Sequence, residues 1–187
     1  MNKKEEILEN AKKLFSEKGY NFPVSVLAEK VSLKKQSLYS HFKNKDEIVY
    51  TIVEKEVLHF FESAESNLKE NFRESFNIFL KNFFYFTIKY FENDETYLFW
   101  KWAFLIDNPE LKNKCFELIK KNYNDFFKLF EPFFSEHYRN TETDYQKIIN
   151  LFFVSVLGTL ETKFLNSTIK IMEVQPQNIW NQIEKIL

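Results

Sequence analysis

Between Val31 and Lys45 the chain carries no acidic residue, while Lys34, Lys35, Lys43 and Lys45 all fall inside that window. Interleaved with them are Gln36, Ser37, Tyr39, Ser40 and His41. These are residue types that hold a nucleic acid. Lysines neutralise phosphates and release counterions, which supplies affinity regardless of sequence. Gln and Lys also reach base edges in a major groove, Gln suiting adenine and Lys guanine. Ser37, Tyr39 and His41 offer short donors to phosphate oxygens, which fix register rather than sequence. A charge run by itself is more often a solvated face, so the reading depends on what positions these side chains.

The positioning elements are legible. Ile7, Leu8, Ala11, Leu14 and Phe15 recur at helical spacing and predict a first helix over about residues 2–18. Gly19 ends it, as glycine does where the chain turns left-handed past a helix. Pro23 suits the first turn of a short second helix that buries Leu27 and Val31. Ser32 and Leu33 make a turn, and a third helix carries Leu38 inward and the basic set outward, with Phe42 in the core. A short basic helix set against a scaffold helix is the shape that enters a major groove. Asn44 can cap a fourth helix, with Glu47 as its capping-box partner. That would aim the helix N-terminus and Lys45 at a phosphate.

The stretches Ile7-Leu8 to Leu14-Phe15, Glu17-Lys18-Gly19-Tyr20, Leu27-Ala28-Glu29 and Ser37-Leu38-Tyr39-Ser40-His41-Phe42-Lys43-Asn44-Lys45-Asp46-Glu47 together resemble the TetR family of bacterial transcription regulators. The resemblance covers about the first quarter of the chain. It departs from the family pattern in three places: Ser32 stands where a turn glycine is usual, Lys34 stands at the cap of the third helix, and Pro23-Val24 stand where hydroxyl residues are usual. Ser25 is the nearest replacement phosphate donor. The resemblance implies an all-α fold of about nine helices. A helix-turn-helix DNA-binding domain would span residues 1–46, and a ligand-binding and dimerisation domain residues 47–187. The implied protein is a homodimer on double-stranded operator DNA, a repressor released by a small molecule, with no enzymatic activity.

Charge agrees. Residues 1–50 hold ten lysines against seven acids, whereas the remainder holds sixteen basic and twenty acidic residues. This places the nucleic-acid surface at the N-terminus. Cys115 is the one cysteine, so no internal disulfide is possible, and a reducing, cytoplasmic setting is expected. It sits in an apolar helical stretch and reads as core. The opening Met-Asn-Lys-Lys-Glu-Glu lacks an apolar run behind it and does not read as a signal peptide. No apolar run approaches the roughly eighteen residues of a membrane span. Two glycines leave no phosphate-cradling loop, and no zinc pattern, cofactor motif or catalytic cluster stands out.

The rest of the chain is helical and rich in phenylalanine. Helix four is expected over residues 44–67. Helix five carries Phe72, Phe76, Phe79, Phe83, Phe86 and Tyr90 at alternating three- and four-residue steps, apolar over a wide arc. Asp94 is the expected cap of helix six, and Asn108 with Pro109 the start of helix seven, ending near Pro132. A polar loop is expected over 137–143, helix eight over 143–166 and helix nine over 176–187. Most rings must be core, yet aromatic walls also suit a small-molecule pocket. Phe79, Phe83, Phe86, Trp100, Trp102, Tyr123 and Phe127 lie on the helices that surround the ligand in the resembled family. They suit an apolar or aromatic compound, cationic ones included. A cavity among helices four to eight is expected, with Phe83, Phe86, Trp100 and Tyr123 at its wall. On helix eight, Ser155, Gly158, Thr159 and Thr162 form a small-residue strip that permits close helix approach. The resemblance implies that this strip meets a second copy. A helical protein-interaction module, or an enzyme with an aromatic pocket, is the alternative.

Overall fold

The computed structural model describes residues 2–69, 75–128, 145–169 and 174–185. Among them all regular structure is helical. The α-helices are α1 (Lys3–Lys18), α2 (Val24–Lys30), α3 (Lys35–Leu38), α4 (Lys45–Lys69), α5 (Phe76–Tyr90), α6 (Asp94–Phe104), α7 (Pro109–Lys128), α8 (Tyr145–Ile169) and α9 (Pro176–Ile183), with a 3-10 turn over Gly19–Asn21. The expectations for Phe72, for the end of helix seven near Pro132 and for the loop over 137–143 lie outside the described residues.

Local chemistry sets the boundaries. Asn2 caps α1, its side chain accepting from the Glu5 N–H at 2.9 Å. Gly19 ends α1 with φ 61° and ψ −154°, a region open essentially to glycine alone rather than the left-handed helical one expected. Pro23 is the residue before α2, not inside it. At α4 the Asn44 side chain accepts from the Glu47 N–H at 2.8 Å, and the Glu47 carboxylate accepts from the Lys43 N–H. The predicted capping pair therefore forms, its return bond reaching one residue further back than a standard box. At α6 the cap is Asn93, which accepts from the Glu95 and Thr96 N–H groups, and Asp94 is the first helical residue. This corrects the expected register by one; the amide oxygen reaches two orphan N–H groups while the Asp94 charge still faces the helix dipole. Asn108 caps α7 as expected, accepting from the Leu111 N–H at 3.1 Å.

Ser32, in the turn between α2 and α3, has φ 54°. A serine there carries a Cβ penalty of about 1–2 kcal/mol, partly offset against glycine by the latter's greater unfolded freedom. Ser32→Gly is expected to raise stability by roughly 0.5–1 kcal/mol, read as a higher urea midpoint; an unchanged or lower midpoint would mean the strain is relieved in some other way.

The chain packs as two compact units, residues 1–60 with 93–123, and residues 61–92 with 124–187. Residues 1–46 lie wholly in the first, which also takes in α6 and most of α7. Its core joins Ile7, Leu14, Phe15, Leu27, Val31, Leu38 and Phe42 to Val49, Val53, Phe99 and Ile106, all buried. Cys115 belongs to this core. Burial pushes its thiol up to about 11, which leaves almost no thiolate near neutral pH and agrees with a packing role.

In the second unit α5 packs on α8 and α9. Phe83 is the hub. Its ring stacks on Phe152 at 5.4 Å and meets Phe126 at 5.2 Å, Phe79 at 6.3 Å and Phe127 at 6.5 Å. Phe84 bridges Phe152 and the buried Trp180. Aromatic pairs at these separations add to burial through edge and offset contacts.

Candidate nucleic-acid interface

The candidate DNA face is built from a very short helix. Lys35–Leu38 forms a single turn, which the backbone extends as a 3-10 run: the Ser40 N–H donates to Ser37 O and the His41 N–H to Leu38 O. Leu38 and Phe42 are buried, as expected, and anchor the end of the helix and the residues that follow it. Between and beside them Lys34, Lys35, Gln36, Ser37, Tyr39, Ser40, His41 and Lys43 are exposed, and so is Ser25 on α2. Apart from Ser25 on α2 and Lys45, the candidate residues thus lie on one accessible segment. Ser40 is partly committed, its hydroxyl donating to Ser37 O at 2.7 Å.

Lys45 stands apart from the others. It is half-buried, with its ammonium 4.6 Å from the Tyr20 ring centre and 4.7 Å from that of Phe22. Burial lowers its pKa from the ordinary lysine value, while the carboxylates of Asp46 and Asp107 act the other way. Its stem is therefore fixed by ring faces, which pre-orders the charge at the start of α4. Asp46 is itself tied down. Its carboxylate accepts from the Tyr20 hydroxyl at 2.6 Å and from the Asn108 side-chain amide at 3.0 Å. Burial and the bond to Asp46 both raise the Tyr20 pKa. A cleft of about 460 Å³ opens beside this group, lined among others by Lys43, Glu47, Tyr50, Glu110 and Lys114. Its walls carry both signs of charge.

Two lysines went unnoticed in the sequence. The Lys4 ammonium lies 5.0 Å from the Phe42 ring centre, and Lys3 donates to Val31 O at 3.2 Å. Both bring positive charge to the edge of the helix-turn-helix. Their presence among the first residues was plain, but nothing local in the sequence links them to Phe42 or Val31.

The scaffold helix α1 is clamped from its other side. Phe15 meets Phe99 at 5.1 Å, and Lys12 pairs with the largely buried Glu56 on α4. The Trp102 indole N–H donates to Ser16 O at 3.1 Å, and its ring lies against Gly19. Trp102, one of the expected ligand-binding residues, thus joins α6 to α1. Of the other expected ligand residues, Trp100 and Tyr123 belong to the first unit, and Phe79, Phe83, Phe86 and Phe127 to the second. Trp100 packs edge-on against Phe60 at 5.7 Å, and Phe86 packs on Tyr90 at 5.9 Å. The small-residue strip on α8 is divided. Thr159 is buried within its own subunit and Ser155 and Thr162 are half-buried, while Gly158 is exposed and a Cβ built on it would meet nothing within 4 Å.

Among the described residues no group of three or more potential metal ligands occurs, and no helix is long and apolar enough to cross a membrane. Comparison with known proteins accords with the helix-turn-helix. Residues 7–51 match the family described as bacterial regulatory proteins, tetR family. The biofilm operon icaADBC HTH-type negative transcriptional regulator IcaR of Staphylococcus epidermidis is 29% identical over 155 residues, 80% of this chain and 79% of that protein. The fold is similar to that of the transcriptional regulator FadR of Bacillus subtilis in complex with stearoyl-CoA (TM-score 0.74, 18% identity, 97% of this chain and 96% of that one). It is also similar to the fatty acid degradation regulator FadR of Bacillus halodurans (TM-score 0.73, 16% identity, 100% and 94%). With an exposed basic face on a short helix seated by α1 and α2, residues 7–51 carry the DNA-binding helix-turn-helix of the bacterial regulatory proteins of the tetR family.

Proposed function

We propose that the protein is a homodimeric repressor, released from its operator by an apolar small molecule. The observation that carries the DNA half is the acid-free segment from Lys34 to Lys43, whose polar side chains are exposed and which is anchored by buried Leu38, at the end of the one-turn helix, and by buried Phe42 beyond it. Within it, Lys35 and Gln36 are the base readers, while Ser25, Lys34, Ser37, Tyr39, Ser40, His41 and Lys45 hold phosphates. The repressor sign is supported by IcaR, named as a negative regulator. Ligand control is supported by the FadR complex with stearoyl-CoA and by the phenylalanine cluster around Phe83. An apolar chain or a flat aromatic compound would be taken up among such rings. Pairing of two copies through α8 is supported by its exposed Val154 and Leu157 beside the open Gly158.

A gel shift on the DNA flanking the protein's own gene tests this reading. Lys35→Ala and Gln36→Ala should each weaken operator binding by roughly 1–3 kcal/mol if they make bidentate base contacts. Lys45→Ala should weaken binding to every sequence alike and flatten the salt dependence. If both kinds of variant bind as the parent does, the DNA face is misassigned. A ligand must shift the equilibrium by preferring the DNA-free form; a long-chain acyl thioester or a cationic aromatic compound that binds without weakening DNA affinity is not the effector.

A further inference from the structure

We propose that Asn108, which lies in the link between α6 and α7 and far from the helix-turn-helix in sequence, is a positioning residue for DNA binding. It holds the first turn of α4, and with it Lys45, where they meet a DNA phosphate. The inference rests on the reading of Lys45 and the α4 N-terminus as a phosphate contact.

The geometry is a three-residue chain. The Asn108 amide nitrogen donates to one oxygen of Asp46 at 3.0 Å, and the Tyr20 hydroxyl donates to the other at 2.6 Å. Asp46 is therefore held from two directions, by the turn that follows α1 and by the turn that precedes α7. Lys45, its neighbour, rests its ammonium on the Tyr20 and Phe22 rings. Moving Asp46 thus disturbs both the direction of the α4 N-terminus and the aromatic seat of Lys45. A helix terminus presents its N–H groups to a phosphate only over its first turn, so an error in that turn is felt directly.

Asn108 has a second task that must be separated from the first. Its side-chain oxygen caps α7 by accepting from the Leu111 N–H at 3.1 Å. The asparagine amide does both at once, with the oxygen toward α7 and the NH2 toward Asp46. Asn108→Asp keeps the shape and the cap, since Asp caps as well as Asn does. It removes the donor and sets two carboxylates against each other. Pairing it with Asp46→Asn exchanges the two groups: the amide at 46 then donates to the carboxylate at 108 and still offers an oxygen to Tyr20. The total charge of the pair is unchanged.

The experiment measures the full chain's affinity for a random-sequence duplex across a salt series, with thermal melting alongside. Lys45→Ala sets the reference. Asn108→Asp is expected to lose about tenfold in affinity, the worth of one charge-assisted hydrogen bond. The slope of log K against log salt should fall by about 0.9, the loss of one phosphate contact. The exchanged double variant should return affinity to within about threefold of the parent, well inside the loss from that bond, and recover the slope. Unchanged affinity in Asn108→Asp despite a loss in Lys45→Ala overturns the assignment. So does a loss that the exchange leaves in place, whatever the melting temperature does, because the loss would then not come from the bond between Asn108 and Asp46. A parent that does not bind duplex, or a Lys45→Ala that binds as the parent does, overturns the phosphate reading and this inference with it.

Discussion

Gly19→Ala is expected to destabilise the protein by roughly 2–5 kcal/mol, the sum of backbone strain and overpacking. The backbone at Gly19 has φ 61° and ψ −154°, where a side chain is strained whatever space surrounds it. There is also no space: an added Cβ would lie 2.7 Å from Cε3 and 2.8 Å from Cδ2 of Trp102. The indole cannot simply swing away, because its N–H donates to Ser16 O at 3.1 Å. Urea unfolding of the variant measures the loss. Repeating the substitution in a Trp102→Ala background separates the two causes, since removing the ring relieves the clash and leaves the dihedral strain. A Gly19→Ala protein as stable as the parent would show that α1 and α6 are not joined in this way.

Leu157→Asp is expected to dissociate the proposed dimer while leaving each copy folded. On α8, Val154 is 67% exposed, Leu157 61% and Leu165 40%. Such a row of exposed aliphatic side chains fits the proposed pairing of two copies through α8. In a two-fold dimer the same patch is used by both copies, so one substitution removes two leucines from the interface. At about 1.5–3 kcal/mol for each buried leucine, association should weaken by roughly 3–6 kcal/mol, enough to give monomer at micromolar concentration. Operator affinity should drop as well, because two half-sites are read together. Light scattering that still finds a dimer, with helical content unchanged, would place the interface elsewhere.

The head was legible because its signals are local. The Gly19 stop, the Asn44 and Asn108 caps, the acid-free window and the alternation of buried Leu38 and Phe42 with exposed lysines each involve residues within a few positions of one another. Even there the sequence missed details of one residue, such as Asn93 rather than Asp94 as the cap of α6, because adjacent Asn and Asp are nearly equal as caps. What was not legible spans distance. Asn108 and Asp46 are 62 residues apart and Trp102 and Ser16 are 86 apart, and no periodicity announces such pairs. For that reason nothing near Trp102 in the sequence announces that its ring joins α6 to α1. The strip on α8 shows another limit. Spacing put Ser155, Gly158, Thr159 and Thr162 on one stripe, but burial of Thr159 and exposure of Gly158 depend on what the neighbouring helix covers. The aromatic body is a third case. Composition promised many ring contacts, and Phe83 is the hub of several, yet which rings a ligand could part is not written in their spacing.

Amide hydrogen exchange of the full chain, with and without duplex DNA from the region flanking its gene, tests the central claim most directly. Slowed exchange should concentrate on residues 33–45 and at the start of α2 around Ser25, with little change on α8 or α9. Protection confined to other helices, with residues 33–45 exchanging as fast in the presence of DNA as without it, would contradict the assignment of this basic segment as the surface that reads DNA.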